Sequence, residues 1–250
     1  MFYDHDIIVP FEDSEKPKKE QVADMFNQIA HRYDFLNRFL SAGIDISWRK
    51  KALAQLNDLK VDHMLDVATG TADVAIMALE QLKPAPGHIT GIDISDGMLD
   101  LGRRKLTTKG LNEKITLLNG DSEAIKFADA SFEAITVAFG VRNFSNLKKG
   151  LGEMLRVLKP GGKLVILEFS KPKMPGIKTL YNLYTRIIAP QAGKWIAGNQ
   201  KAYKYLNDSI NAFPEGQKFV DIMKETGYKD CYKKTLSFGI CTIYCGSKTS

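Results

Sequence analysis

The chain has 250 residues, 44% hydrophobic and 26% charged. That is the composition of an ordinary globular protein, long enough for one α/β domain with extra helices. Lys and Arg number 35 against 29 Asp and Glu, and the net charge of +6 is too small to indicate nucleic acid, so no nucleic-acid partner is expected; it suits an anionic membrane surface or no charged partner at all.

Residues 1–18 read as a flexible tail with scattered charges and no apolar signal region, and no apolar run approaches the roughly 18 residues that span a bilayer. A cytoplasmic protein is expected, resting at most on the inner membrane surface. Residues 19–250 read as a single domain. Its first part, 19–60, is a helical cap: Val22, Met25, Phe26, Ile29 and Ala30 recur at helical spacing, the pattern continues through Phe35, Leu36, Phe39 and Leu40 to near Gly43, and a short helix follows over 48–59.

From residue 61 to 170 the pattern alternates. Strands are predicted over 63–67, 87–93, 114–118, 132–138 and 163–169, and helices over 73–82, 97–109 and 147–158. The last of these helices is stopped by Lys159-Pro160-Gly161-Gly162. Such alternation implies a mostly parallel sheet with helices on both faces, a Rossmann-like α/β fold. Residues 171–214 break the alternation as an aromatic-rich helical insertion, and 215–250 supply a closing helix and two strands, 228–235 and 240–244, that form an antiparallel hairpin. Cys231, Cys241 and Cys245 are the three cysteines, without a CxxC pair, so neither a zinc site nor a redox motif is expected; they read as buried thiols in a reducing compartment.

Three features sit at the carboxyl ends of successive strands, the edge where open α/β sheets bind ligands. The first runs from Leu65-Asp66-Val67 through Ala68-Thr69-Gly70-Thr71-Ala72-Asp73. Its small residues let backbone approach a nucleotide-like ligand, and the helix that follows offers N–H donors. A dinucleotide fingerprint needs glycine where Ala68 and Ala72 stand, so a pyrophosphate is disfavoured; the looser D-x-[AG]-x-G-x-[AG] form is the one used for S-adenosylmethionine. The second is Gly91-Ile92-Asp93-Ile94-Ser95, whose carboxylate, some 20 residues beyond the turn, can accept both hydroxyls of a ribose. Ser95 is the better candidate for helix N-cap. The third is Gly120-Asp121-Ser122-Glu123, where Asp121 can receive an adenine amino group and Ser122 adds a hydroxyl.

Residues 21–37 (QVADMFNQIAHRYDFLN), 138–143 (AFGVRN), 156–162 (RVLKPGG) and 167–172 (LEFSKP), with Tyr203, Tyr205, Leu206, Ser209 and Ile210, resemble the ubiquinone/menaquinone biosynthesis C-methyltransferases, the UbiE/MenG family. The resemblance runs from about residue 20 to the C-terminus. The K-P-G-G turn is common among methyltransferases, whereas AFGVRN and LEFSKP are far more specific. The resemblance implies a class I S-adenosylmethionine-dependent enzyme that methylates a ring carbon of a prenylated hydroquinol, with cofactor contacts at Asp66, Gly70, Thr71, Asp93, Ile94, Asp121 and Ser122. Two departures stand out. The family usually has Gly-Thr-Gly-Asp where this chain has Gly70-Thr71-Ala72-Asp73, and Ala138 replaces a Ser that contacts the cofactor in some members. Ala72 is tolerated at an ordinary helical φ and strained at a positive one.

A ring carbon is a weak nucleophile unless a ring hydroxyl loses its proton, so the site must stabilise a phenolate or supply a base. Arg142 is expected as the stabiliser and Asn143 as the group orienting ring oxygen or water. Asp121 is the candidate base and Tyr33 a further polar candidate. A structural pairing of Arg142 with Asp121 or Glu168 is the competing reading. Demethylmenaquinol is favoured as acceptor; a methoxy-benzoquinol of the ubiquinone pathway, and a cofactor-binding homologue without activity, are the alternatives. A homodimer stays open. Ile177, Leu180, Tyr181, Tyr184, Ile187 and Ile188 form an apolar stripe flanked by Lys171, Lys173, Lys178 and Arg186, read either as a lid over the site or as a peripheral membrane contact.

Overall fold

The computed structural model describes residues 4–41, 43–176, 179 and 200–249. The stripe residues 177, 180, 181, 184, 187 and 188, and half of the 171–214 insertion, lie outside the described residues. Seven strands form one sheet in the order β3-β2-β1-β4-β5-β7-β6: β1 (His63–Val67), β2 (His88–Asp93), β3 (Ile115–Asn119), β4 (Phe132–Ala138), β5 (Leu158–Phe169), β6 (Lys229–Leu236) and β7 (Cys241–Ser247). The first five run parallel, and β7 pairs antiparallel with both β5 and β6. The inner strands are buried on both faces, which is why they read as continuous apolar runs rather than alternating ones. This is the Rossmann-like sheet with a closing hairpin that the alternation predicts.

Seven described helices flank it: α1 (Lys18–Leu40), α2 (Ile44–Leu53), α3 (Asp73–Gln81), α4 (Asp96–Lys109), α5 (Leu147–Val157), α6 (Gln200–Ala212) and α7 (Gln217–Thr226). The side chains of α2, α3 and α4 fill the core on one face, with Trp48, Leu53, Ala75 and Leu99 buried against Met64 and Val165. On the other face Leu151, Met154, Phe219 and Met223, from α5 and α7, pack on Leu65, Ile135 and Ile166. A third cluster joins α1 to α4 and α6 through Val22, Met25, Ile29, Met98, Ala202 and Tyr205. Ser95 caps α4 as expected, accepting from the Met98 N–H at 3.3 Å.

Two local expectations change. The K-P-G-G stop is not a free turn ahead of β5: Leu158 already pairs with Phe132, the register shifts before Ala134 pairs with Lys163, and the intervening residues bulge outward. The Gly161 N–H donates to the Lys248 carbonyl at 2.9 Å, and the Lys248 N–H to Gly162 at 3.1 Å. Part of the segment 1–18, expected as a flexible tail, is held against the body of the protein. His5 is fully buried and lies edge-on to Phe213 at 6.0 Å, Lys18 donates to the His5 carbonyl at 2.5 Å, and Gln21 holds the Phe11 N–H at 2.9 Å.

The turn between β1 and α3 alternates in handedness. Ala68, Gly70 and Ala72 have φ of 54°, 57° and 66°, and Phe139, on the neighbouring strand end, has 59°. Left-handed alanine costs about 1–2 kcal/mol relative to the right-handed region. The family's usual glycine at position 72 would carry no such cost, so Ala72 is the strained alternative. Gly140 completes the packing, since a Cβ there would lie 2.6 Å from the Ala68 Cβ. Ala72→Gly is therefore expected to stabilise the chain by about 1 kcal/mol, raising the thermal midpoint by roughly 2–4 °C. A fall in midpoint on calorimetry would contradict the strain assignment.

Candidate active site

Two adjoining cavities open at the carboxyl edge of the sheet, of about 650 Å³ and 370 Å³. They share Tyr33, Ala68, Gly70, Ala138 and Phe139 as a common wall. The first is lined by the acidic Asp93, Asp121 and Glu123 and by the apolar Val22, Phe26, Met98, Phe139 and Phe144.

Asp93 ends β2. Its Oδ2 accepts the Gly70 N–H at 2.8 Å and its Oδ1 the Ser95 N–H at 2.9 Å. Burial pushes its carboxyl above the usual range, against these backbone donors. Each oxygen keeps acceptor capacity toward the cavity that the residue lines, enough for a vicinal diol. Asp121 follows β3. Its Oδ1 accepts the Glu123 N–H at 2.8 Å, and its Oδ2 takes the Lys19 ammonium at 2.6 Å. Lys19 lies 3.5 Å from Glu123 as well; burial opposes its charge, but the two carboxylates prevail and raise its pKa. Ser122 and Ile94 line the same cavity.

Asp66 lies deeper, 1% exposed, on the wall of the second cavity. It accepts hydroxyl protons from Thr69 at 2.7 Å and Thr136 at 2.6 Å, and burial raises its pKa to about 6. Thr71 is buried there too, its hydroxyl donating to Asp34 at 2.7 Å while it receives Lys105 at 2.8 Å. Arg49 enters from α2. Its guanidinium pairs with Asp45 and lies 5.6 Å from the Phe139 ring centre, while its buried Nε has no hydrogen-bond partner among the described residues.

Arg142 and Asn143 occupy a 3-10 turn, Val141–Asn143, just past β4. Asn143 lines the first cavity, and Tyr205 of α6 donates its hydroxyl to Asn143 Oδ1 at 3.1 Å. Arg142 lines neither cavity and is 3% exposed. Its Nη1 donates to Glu168 Oε1 at 2.7 Å and to the Phe139 carbonyl at 2.6 Å, and its guanidinium lies 5.3 Å from the Phe169 ring centre. The pairing with Glu168 is the one formed; Asp121 instead holds Lys19. Arg142 therefore fixes the strained Phe139 turn from behind the cavity wall.

The structure thus brings Gly70, Asp93, Ile94, Asp121, Ser122 and Asn143 onto one cavity and Asp66, Gly70 and Thr71 onto its neighbour, and leaves Arg142 outside both. Lys19, Arg49, Glu123 and Phe139 are lining residues that sequence reasoning missed. Arg49 carried a signal, as a cation beside a core tryptophan in the cap, where a charge facing inward needs a partner. Lys19 carried none, because it stands in a run of charges at 15–20.

The fold and this edge define an S-adenosylmethionine-dependent methyltransferase. Residues 14–248 match the ubiE/COQ5 methyltransferase family, and the chain belongs to it. It is 45% identical over 248 residues to a demethylmenaquinone methyltransferase of Bacteroides fragilis, covering 99% of this chain and all of the other. It is 44% identical over 231 residues to a ubiquinone/menaquinone biosynthesis C-methyltransferase of Geobacter sulfurreducens, covering 92% of this chain and 90% of that one. Among solved structures, a SAM-dependent methyltransferase of Thermotoga maritima superposes with a TM-score of 0.64 at 15% identity, over 91% of this chain and 99% of that one.

The buried Asp66 makes a pH prediction. A carboxyl whose pKa rises from 3.8 to about 6 on folding binds its proton more tightly in the folded state. Its contribution to stability is therefore greatest at low pH and is lost as pH rises from about 4 to about 6. Asp66→Asn removes that term. The wild-type midpoint minus the variant's is expected to fall across this window and level off above it; a flat difference would show that folding does not raise the Asp66 pKa.

Proposed function

We propose that the chain transfers a methyl group from S-adenosylmethionine to a ring carbon of demethylmenaquinol, at the cytoplasmic face of the membrane. The observation that carries this reading is the lining of the first cavity, which combines Asp93 and Asp121 with Phe26, Phe139 and Phe144. Its carboxylates suit a nucleoside and its aromatic side chains a flat apolar ring. The favoured acceptor is the one that the Bacteroides relative is named for; the methoxy-benzoquinol of the ubiquinone pathway remains the alternative.

When bound, the cofactor supplies an electrophilic methyl carried on a sulfonium. Asp93 takes the ribose diol, Asp121 the adenine amino group with Ser122 and Ile94 beside it, and the Ala68–Ala72 turn gives backbone room beside the nucleoside. Asp66 and Thr71 shape the turn from beneath. Arg49 reaches the second cavity, where its Nε can meet the amino-acid carboxylate. The ring is gripped by Phe26, Phe139 and Phe144. Asn143, its carbonyl held by Tyr205, offers its amide to a ring oxygen and favours the phenolate that makes the ring carbon nucleophilic. Asp121, with an ammonium on one oxygen and an N–H on the other, is committed to binding, so Tyr33 or solvent is the better route for the ring proton. Arg142 acts as a positioning residue through Phe139 and Glu168. All these groups come from one chain, so a homodimer is not needed to complete the site.

The test is methyl transfer from labelled cofactor to each quinol. The wild type is expected to label demethylmenaquinol at a ring carbon in preference to the methoxy-benzoquinol. Arg142→Lys cannot hold Phe139 and Glu168 together, and the misplaced wall is expected to lower kcat by about 10²-fold with S-adenosylhomocysteine affinity within a few-fold. No transfer to either quinol would overturn the reading, and a variant with wild-type kcat would remove Arg142 from it.

A further inference from the structure

The turn joining β6 to β7 holds a large apolar side chain in water. Ser237, Phe238 and Gly239 have successive φ of 44°, 57° and 102°, and Phe238 is 72% exposed. A phenylalanine in the left-handed region is costly where asparagine or glycine would suit, and its exposure means that the core does not repay the cost. The turn is also firmly seated. Trp48 donates its indole N–H to Ser237 Oγ at 2.8 Å, and Ser170 donates to the Gly239 carbonyl at 2.8 Å.

Two further apolar side chains stand exposed nearby. Met174 is 57% exposed and follows the 171–173 segment packed on Gly239, where a Cβ would lie 3.1 Å from the Pro172 Cα. Ile44 is 46% exposed, one helical turn before Trp48. Lys173 adjoins Met174 in the chain and Lys234 stands near the end of β6 that leads into the turn, and both are exposed. Of the acidic groups here, Asp45 is buried against Arg49 and Glu215 accepts the Lys171 N–H at 2.6 Å. The patch is thus apolar at its centre and basic around it.

Its place in the fold links it to the site. Phe169 pairs with Cys241 at the carboxyl end of β5, which puts the turn on the same edge of the sheet as the cavities. Phe169 stacks on the cavity residue Phe139 at 4.5 Å and meets Trp48 edge-on at 6.2 Å. This aromatic layer lies between the cavity wall and the turn.

We propose that Phe238, Met174 and Ile44 insert into the headgroup region of an anionic phospholipid bilayer, with Lys173 and Lys234 on the lipid phosphates, so that the cavity edge faces the membrane. Basic charge around an apolar tip fits such a surface. The inference rests on the proposed acceptor, whose prenyl tail stays in the bilayer while its ring enters the cavity.

Co-sedimentation of the full chain with phosphatidylglycerol/phosphatidylethanolamine vesicles, and with phosphatidylcholine vesicles, tests it. The wild type is expected to bind the anionic vesicles at low salt and release as salt rises. Phe238→Asn with Met174→Ser should weaken binding about tenfold, and Asn suits the left-handed turn, so the fold is kept. Lys173→Glu with Lys234→Glu should weaken it severalfold on anionic vesicles alone, and Phe238→Trp should retain it. Turnover of a vesicle-embedded long-chain acceptor should fall in step, while that of a short-chain acceptor in buffer stays at the wild-type rate. Wild-type sedimentation of the Phe238→Asn, Met174→Ser variant, or no wild-type binding at low salt, would overturn the proposal. Failure to methylate the short-chain acceptor would instead overturn the acceptor reading alone, because sedimentation requires no turnover.

Discussion

The carboxylate of Asp93 joins the two turns on which the site is built. One oxygen holds the Gly70 N–H and the other the Ser95 N–H, so the ends of β1 and β2 are tied at a single buried group. The Thr69 N–H adds a bond to the Ile92 carbonyl at 3.0 Å. Beneath, Asp66 binds Thr69 and, across to β4, Thr136. Three neighbouring strand ends are thereby locked at the edge where a ligand must be met. A buried carboxylate is costly without donors, and here each one has two. That satisfaction is what lets the turn carry two left-handed alanines.

The helical cap is held differently. Lys19 reaches Asp121, and Lys105 joins Asp34 at 2.5 Å to Asp73 at 2.8 Å, but these groups are partly exposed and such pairs are worth at most about 1 kcal/mol each. The apolar cluster of Val22, Met25, Ile29, Met98 and Tyr205 is the stronger tie, since each fully buried large side chain contributes roughly 1.5–3 kcal/mol. The ion pairs instead set register, bringing Lys19 and Tyr33 to the cavity mouth.

The strands and most helices were legible because both faces of a parallel sheet are buried, so apolar runs and the residues that end them are hard to disguise. Asp93, Asp121 and Gly70 were legible for a related reason: strand-end position alone sends them to one edge. What failed to show depends on contacts between distant residues. The seating of part of the 1–18 segment rests on His5 against Phe213, two residues 208 apart in sequence. The bulge at Lys159 reads locally as a turn, and only the pairing of Leu158 with Phe132 makes it part of β5. The left-handed φ of Ala72 is invisible in an alanine. Arg142 looked equally suited to a ring oxygen and to a buried partner, and the choice was made by Glu168, 26 residues away on the next strand.

In the proposed function the Asp93 carboxylate serves both the fold and the cofactor. Isothermal titration of S-adenosylmethionine into wild type, Asp93→Asn and Asp93→Ala tests it most directly, with the fold of each variant verified by circular dichroism. Affinity should fall from wild type through Asn to Ala, the last by about 1.5–3 kcal/mol for a charge-assisted hydrogen bond. Equal affinity across a folded series would contradict it, and would place the ribose elsewhere on the sheet edge.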